Sequence, residues 1–236
     1  MMDESPDQKI SQQSQRGDLI NAYGTHEVFY PTGIHIREDR LLRLHGYRDL
    51  AKVRPVIISV AEEISRRAEG LASPEIHYKR LKIKHCDANG LVLENGSRFD
   101  NIAFEKYLAG VVEVVVFTMT LGKALDEESQ VLVEKFEPLE ALFLETAGWL
   151  GIEWATKQFG DGLRISARQN ALRVSCRMGP GYSYSVNGEK VRWSLEDQKP
   201  LFDVFDGEYL PIELLESCAM LPKMSRSGLY GLTPAN

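Results

Sequence analysis

Arg177, Met178, Gly179, Pro180, Gly181 and Tyr182 form the segment with the most chemical content in this 236-residue chain. Two glycines around a proline let the backbone turn sharply and bring its N–H and C=O groups close to a ligand. An arginine just before the turn can hold a carboxylate through two parallel hydrogen bonds. A tyrosine just after it offers a flat face and a hydroxyl. The set suits an amino-acid-like ligand carrying a flat ring; the alternative is an ordinary tight turn with a surface arginine. A second segment, from Glu216 to Gly228, packs apolar, hydroxyl and Gly/Pro residues together. Its small donors would suit the wall of a pocket.

Other catalytic patterns fail on spacing. Gly122 and Lys123 suggest a phosphate-binding loop, but Phe117 stands where its first glycine belongs and Ala124 where its Ser/Thr belongs. The glycines at 179 and 181 are not a dinucleotide fingerprint, because the third glycine position is Tyr184. Neither a zinc-protease helix motif nor a serine elbow occurs. The histidines at 26, 35, 45, 77 and 85 show no catalytic pairing. Cys86, Cys176 and Cys218 are too far apart in sequence for a zinc site, and an odd count points to a reducing compartment.

The elements that must position the Arg177 turn follow from periodicity. Glu38–Gly46 reads as a short helix closed by Gly46, and Val56–Ala68 has helical apolar spacing. His77–Asp100 reads as paired short strands with turns at 88–90 and 95–96. Val111–Thr118 is a β-branched run expected to be a buried strand, followed by a helix from Lys123. Pro138 interrupts the helical pattern, so a second helix is expected to start near Leu139, run to Phe159 and stop at Gly160. Ala171–Arg177 reads as a strand into the turn. Ser194 and Asp197 have capping-box spacing for a helix through Phe205. Ile212–Met220 is expected to be a strand and Pro222–Gly228 a loop. Strands and helices without regular alternation imply α+β: one domain with a mainly antiparallel twisted sheet and flanking helices.

Composition sets the frame. Hydrophobic residues make up 43% and charged residues 26%, as in soluble globular domains. The 28 Lys+Arg against 34 Asp+Glu give a net charge of −6, which argues against sequence-independent nucleic-acid binding. No apolar run reaches membrane-spanning length and no signal-peptide pattern opens the chain. A cytoplasmic protein with no membrane or nucleic-acid partner is expected. Residues 1–18 read as a disordered polar tail and residues 19–236 as the domain.

Taken together, the two chemical segments resemble the S-adenosylmethionine-binding activation domain of cobalamin-dependent methionine synthase, in its free-standing subgroup. The family pattern of an Arg, three residues and Gly-Tyr reads here as Arg177, Gly181 and Tyr182. Its later Ser-x-x-Met-x-Pro and Ser-x-Ser-Gly read as Ser217, Met220, Pro222, then Ser225, Ser227, Gly228. Trp193 to Phe202, Leu41 to Tyr47, and Thr118 to Gly122 look like the same subgroup. The resemblance implies that Arg177, Gly179, Gly181, Tyr182 and the helix carboxylate Glu145, with Glu140 as its rival, contact S-adenosylmethionine, and that Ser225, Ser227 and Gly228 support the turn. It implies a component of methionine synthase reactivation in methionine biosynthesis: a methyltransferase activity completed by a corrinoid-binding protein or methyltransferase and a flavodoxin-like electron donor. The cobalamin-module signature Asp-x-His-x-x-Gly is missing, so cobalamin would be carried by the partner. The alternative is a non-catalytic docking or chaperone module for a corrinoid methyltransferase.

Overall fold

The computed structural model describes residues 18–20 and 22–235. Its centre is set by the β-branched run. Glu113–Thr120 forms strand β5, and all eight of its residues are buried. Side chains alternate along a strand, so Val115, Phe117 and Met119 enter one apolar cluster while Val114 and Val116 enter another on the opposite face. A strand buried on both faces needs neighbours on both edges. Glu75–Asp87 (β2) supplies one and Ser225–Pro234 (β11) the other, both antiparallel.

The sheet extends outward in the order β4–β3–β2–β5–β11–β6. Here β3 is Gly90–Leu93, β4 is Arg98–Phe99 and β6 is Leu172–Met178. His26–Phe29 (β1) pairs with the first half of β2. Every pairing is antiparallel. One face is covered by helices α1 (Glu38–Leu44), α2 (Pro55–Leu71), α4 (Ala124–Glu134) and α5 (Pro138–Gln169). The other face packs on α3 (Ala103–Tyr107), α6 (Gln198–Asp203) and the fully buried Trp193. This is the expected α+β arrangement, a mainly antiparallel sheet flanked by helices.

Several boundaries differ from the sequence expectation. Helix α5 does not stop at Gly160; it continues to Gln169 and is closed by Asn170 and the left-handed Ala171. Gly160 is a packing residue: a Cβ there would lie 3.0 Å from the Tyr230 hydroxyl of β11, so its absence lets helix and sheet approach closely. Ile212–Met220 is not a strand. Only Glu213–Leu214 (β9) and Met220–Leu221 (β10) pair, around a turn. The expected loop Pro222–Gly228 ends early, because Ser225 already begins β11. The Ser194–Asp197 capping box does not form; the Asp197 carboxylate accepts the Trp193 indole N–H at 2.5 Å instead, and α6 ends at Asp203. The hairpin of β7 (Ser183–Val186) and β8 (Glu189–Arg192) and the short strand β1 have no counterpart in the expectation.

The expected tail over residues 1–17 lies outside the described residues. Its last member, Asp18, already touches the helical layer: Asn170 donates a side-chain hydrogen bond to it at 2.8 Å. The Leu19 amide donates to Ser166 Oγ at 2.9 Å. Among the described residues no helix is long and apolar enough to cross a membrane.

Two histidines carry a pH dependence. Burial pushes the imidazoles of His77 and His45 below the usual histidine value. His77 shares a 2.8 Å hydrogen bond with His26 and lies 3.4 Å from Glu75, whose charge opposes part of the shift. His45 shares one of 2.8 Å with Thr146. A histidine with a depressed folded value binds its proton more readily when unfolded, so stability is complete above about pH 6.5 and declines as the pH falls below it. Urea denaturation between pH 7 and pH 5 is expected to give a falling midpoint, and the His45→Gln and His77→Gln variants a shallower slope. An unchanged slope in both variants would assign the dependence elsewhere.

Candidate functional site

Strand β6 ends at Met178, and the chain turns over Gly179, Pro180 and Gly181 into Tyr182 and β7. Gly181 has a φ of 84°, in the left-handed region that favours glycine. Gly179 is needed for closeness: a Cβ there would lie 2.9 Å from the Ser227 carbonyl oxygen of β11. Gly228 is tighter still, since its Cβ would sit 2.3 Å from the Met178 carbonyl oxygen. The turn therefore rests directly on the backbone of Ser227 and Gly228.

The backbone of the turn is used internally, contrary to the expectation that its N–H groups face a ligand. The Gly179 N–H donates to the Tyr184 hydroxyl at 2.7 Å, and that hydroxyl donates back to the Gly179 carbonyl at 3.2 Å. The Gly181 N–H donates to the Trp193 carbonyl at 2.9 Å, and the Tyr182 N–H to Gly179 at 3.4 Å. What the turn offers outward is side-chain surface. The Arg177 guanidinium stacks on the Tyr182 ring, 4.6 Å from its centroid. Its Nη1 is buried without a hydrogen-bond partner.

Pro180 and Tyr182 form one wall of a cleft of about 170 Å³. Facing them are Trp149 and Ile152 of α5, with Ser225, Arg226 and Ser227 of β11 and Gln198 of α6. The cleft is held in shape by side-chain bonds. Ser227 donates to Gln198 Oε1 at 2.6 Å, and Gln198 donates on to the Cys218 carbonyl at 3.3 Å. Ser225 donates to the Pro222 carbonyl at 2.6 Å. The buried Arg226 donates to Thr156 at 3.0 Å and pairs with Glu153.

Glu145 does not line this cleft. It lies one helical turn before Trp149, in a neighbouring cavity of about 530 Å³, where it forms an ion pair with Lys223. The two cavities share Met220, Lys223 and Met224 as a common wall. Glu140 sits in the first turn of α5 and lines neither. Of the sequence candidates, Tyr182, Ser225 and Ser227 meet in the cleft; Arg177, Gly179, Gly181 and Gly228 are not among its lining residues. Trp149, Gln198 and Arg226 were not singled out from sequence. Trp149, half exposed on an otherwise amphipathic helix, is the one among them that carried a signal. Among the described residues no group of three or more His, Cys, Asp or Glu side chains could hold a metal ion.

No family model matches the chain. No curated protein matches it either. Among solved structures the chain is similar to the MetH reactivation domain bound to AdoHcy, with a TM-score of 0.62 at 13% sequence identity, covering 90% of this chain and 79% of that one. At that identity the likeness is one of architecture: this chain has a reactivation-domain-like α+β fold.

Proposed function

We propose that the cleft between Tyr182 and Trp149 takes S-adenosylmethionine or its demethylated product, and that the protein supports reductive remethylation of cobalamin on a partner corrinoid protein. The observation that carries this reading is the Arg177 guanidinium, stacked on Tyr182 with an unpartnered Nη1, on a fold shared with a domain bound to AdoHcy. The residues present fit such a ligand. Arg177 is not among the residues lining the cleft and its Nη1 is buried, so the guanidinium would turn from the Tyr182 ring toward the cleft to take a carboxylate as the acceptor that Nη1 lacks. Tyr182 and Trp149 supply flat faces for an adenine ring. The cleft admits only part of the ligand, and the wall from Met220 to Met224 leads the remainder toward Glu145, which would exchange Lys223 for the ligand's ammonium.

When bound, S-adenosylmethionine supplies a methyl group on a sulfonium, which together with one electron from a flavodoxin-like donor converts cob(II)alamin to methylcobalamin and leaves S-adenosylhomocysteine. This chain's own contribution is positioning. Arg177 fixes the amino-acid end, the aromatic pair fixes the ring, and the rigid β6–β11 contact holds the turn. None of these side chains moves a proton. The protein thus acts as a component of the reaction in the cytoplasm, with the corrinoid protein as its partner.

The reading is tested by following methylcobalamin absorbance after mixing cob(II)alamin-loaded corrinoid methyltransferase, reduced flavodoxin and S-adenosylmethionine, with and without this chain. Methylcobalamin formation that requires the chain supports it. Binding of the corrinoid protein without methylcobalamin formation would favour a docking or chaperone module, a reading consistent with the internally satisfied turn backbone and the Lys223–Glu145 pair.

A further inference from the structure

Strand β1 is tied to the sheet by a pair of histidines. His26 Nε2 lies 2.8 Å from His77 Nδ1, a hydrogen bond between two rings. The other nitrogen of each ring faces a carboxylate. His77 Nε2 lies 3.4 Å from Glu75, and His26 Nδ1 lies 3.3 Å from Glu208 in the turn that follows α6. Lys79 Nζ stands 3.5 Å from the second oxygen of Glu208, and the Phe205 ring meets His26 edge-on at 5.8 Å between centroids. Level with His77, the next two strands present uncharged side chains, Thr118 of β5 and Ser227 of β11. Among the described residues, Glu75, Lys79 and Glu208 are the charged groups set against the pair.

These contacts fix how many protons the pair can hold. The two carboxylates accept, so each outer nitrogen carries a proton. The bond between the rings needs one proton and one lone pair. Three protons on four ring nitrogens therefore complete every contact, and the pair then bears one positive charge between two carboxylates. A fourth proton sets N–H against N–H and places two like charges side by side. His77 is only 3% exposed and is fixed within β2. His26 is on a four-residue strand that is paired on one side only. The displacement falls on β1 and on the turn that carries Glu208.

We propose that the His26–His77 pair is an acid-released latch: with a lone pair between the rings it holds β1 and the Glu208 turn on β2, and with both rings protonated it lets them go. The effect reaches the cleft through α6, because Gln198 of that helix lines the cleft and accepts the Ser227 hydroxyl. This last link rests on the cleft taking an adenosyl ligand; the latch itself does not.

Hydrogen exchange of the full chain at pH 7 and pH 5, expressed as protection relative to the unfolded chain, reads the latch. Protection over residues 26–29 and 204–209 is expected to fall about tenfold at pH 5. Protection of β5 is expected to persist, which shows that the chain stays folded. In His26→Gln the carboxamide can turn either its N–H or its oxygen to His77, so protection is expected to change little between the two pH values. The His77 ring, followed by NMR, is expected to take up its proton at higher pH in His26→Gln than in the parent, because the His26 charge no longer opposes it. S-adenosylhomocysteine affinity is expected to fall at pH 5 in the parent and to hold in the variant. Full protection of both segments in the parent at pH 5, or the same loss in the variant, overturns the latch. So does a His77 titration that is unchanged or lowered in the variant. An affinity that falls equally in both proteins overturns the link to the cleft.

Discussion

Arg177→Ala is expected to weaken S-adenosylhomocysteine binding by about 10- to 100-fold, the value of a charge-assisted hydrogen bond of roughly 1.5–3 kcal/mol. Its Tm is expected to stay within a few degrees of the parent. The two effects separate because Nη1 of Arg177 makes no hydrogen bond in the folded protein. Removing the side chain takes away the carboxylate's partner and the stacking on Tyr182, yet breaks no bond at Nη1. Arg177→Lys is expected to recover little affinity, because an ammonium cannot reproduce the planar fork or the stack. Calorimetric titration of the three proteins measures this. Equal affinity in all three removes Arg177 from the site.

Gly228→Ala is the substitution with the largest expected effect on the fold. The new methyl would lie 2.3 Å from the Met178 carbonyl oxygen and 3.3 Å from the Phe117 ring. The first of these is backbone of the adjacent strand β6, at the edge of the sheet, and it cannot rotate away as a side chain could. The β11–β6 pairing must open locally or Phe117 must be displaced from the core, at a cost of about 2–4 kcal/mol. For a chain of this size that lowers Tm by roughly 4–16 °C. Met178 is flanked by Arg177 and Gly179, so the same shift moves the turn and is expected to weaken ligand binding as well. Gly70→Ala is the control. Nothing lies within 4 Å of the added methyl on helix α2, so the change is expected to be neutral or stabilising. Thermal denaturation of the two variants checks the contrast; equal Tm values would mean that β11 and β6 do not approach as closely as described.

The central strand was legible because its composition has one explanation. A run of Val and Phe with β-branched neighbours needs cover on both faces, and β5 has it, with its one charged residue, Glu113, buried in an ion pair with Arg80. Pro138 marked the start of α5 for a local reason, the missing N–H, and that reason is independent of context. Gly160 misled because glycine has two uses. It can close a helix, or it can let a helix approach a neighbour, and only the position of Tyr230, seventy residues later, decides between them. Ser225 to Gly228 looked like a loop because small polar residues suit loops; their place between β5 and β6 is set by long-range pairing. The hairpin carried a readable signal in Asn187 and Gly188, both with positive φ, which is the turn chemistry of a two-residue hairpin.

The site was legible in part for the same reasons. Arg177 and Tyr182 are close in sequence, so their stacking follows from one turn. Trp149, Gln198 and Arg226 come from three separate elements and meet Tyr182 only through the packing of α5 and α6 on the two faces of the sheet. Glu145 illustrates the limit of helical bookkeeping. It sits on the helix that lines the cleft, but one turn away, where Lys223 holds it.

The most direct test is a crystal structure of the chain grown with S-adenosylhomocysteine. The ligand is expected between Tyr182 and Trp149, with its carboxylate on Arg177 and its chain along Met220 to Met224. Ligand density elsewhere on the molecule, or a chain that takes up no ligand at millimolar concentration, would contradict the account.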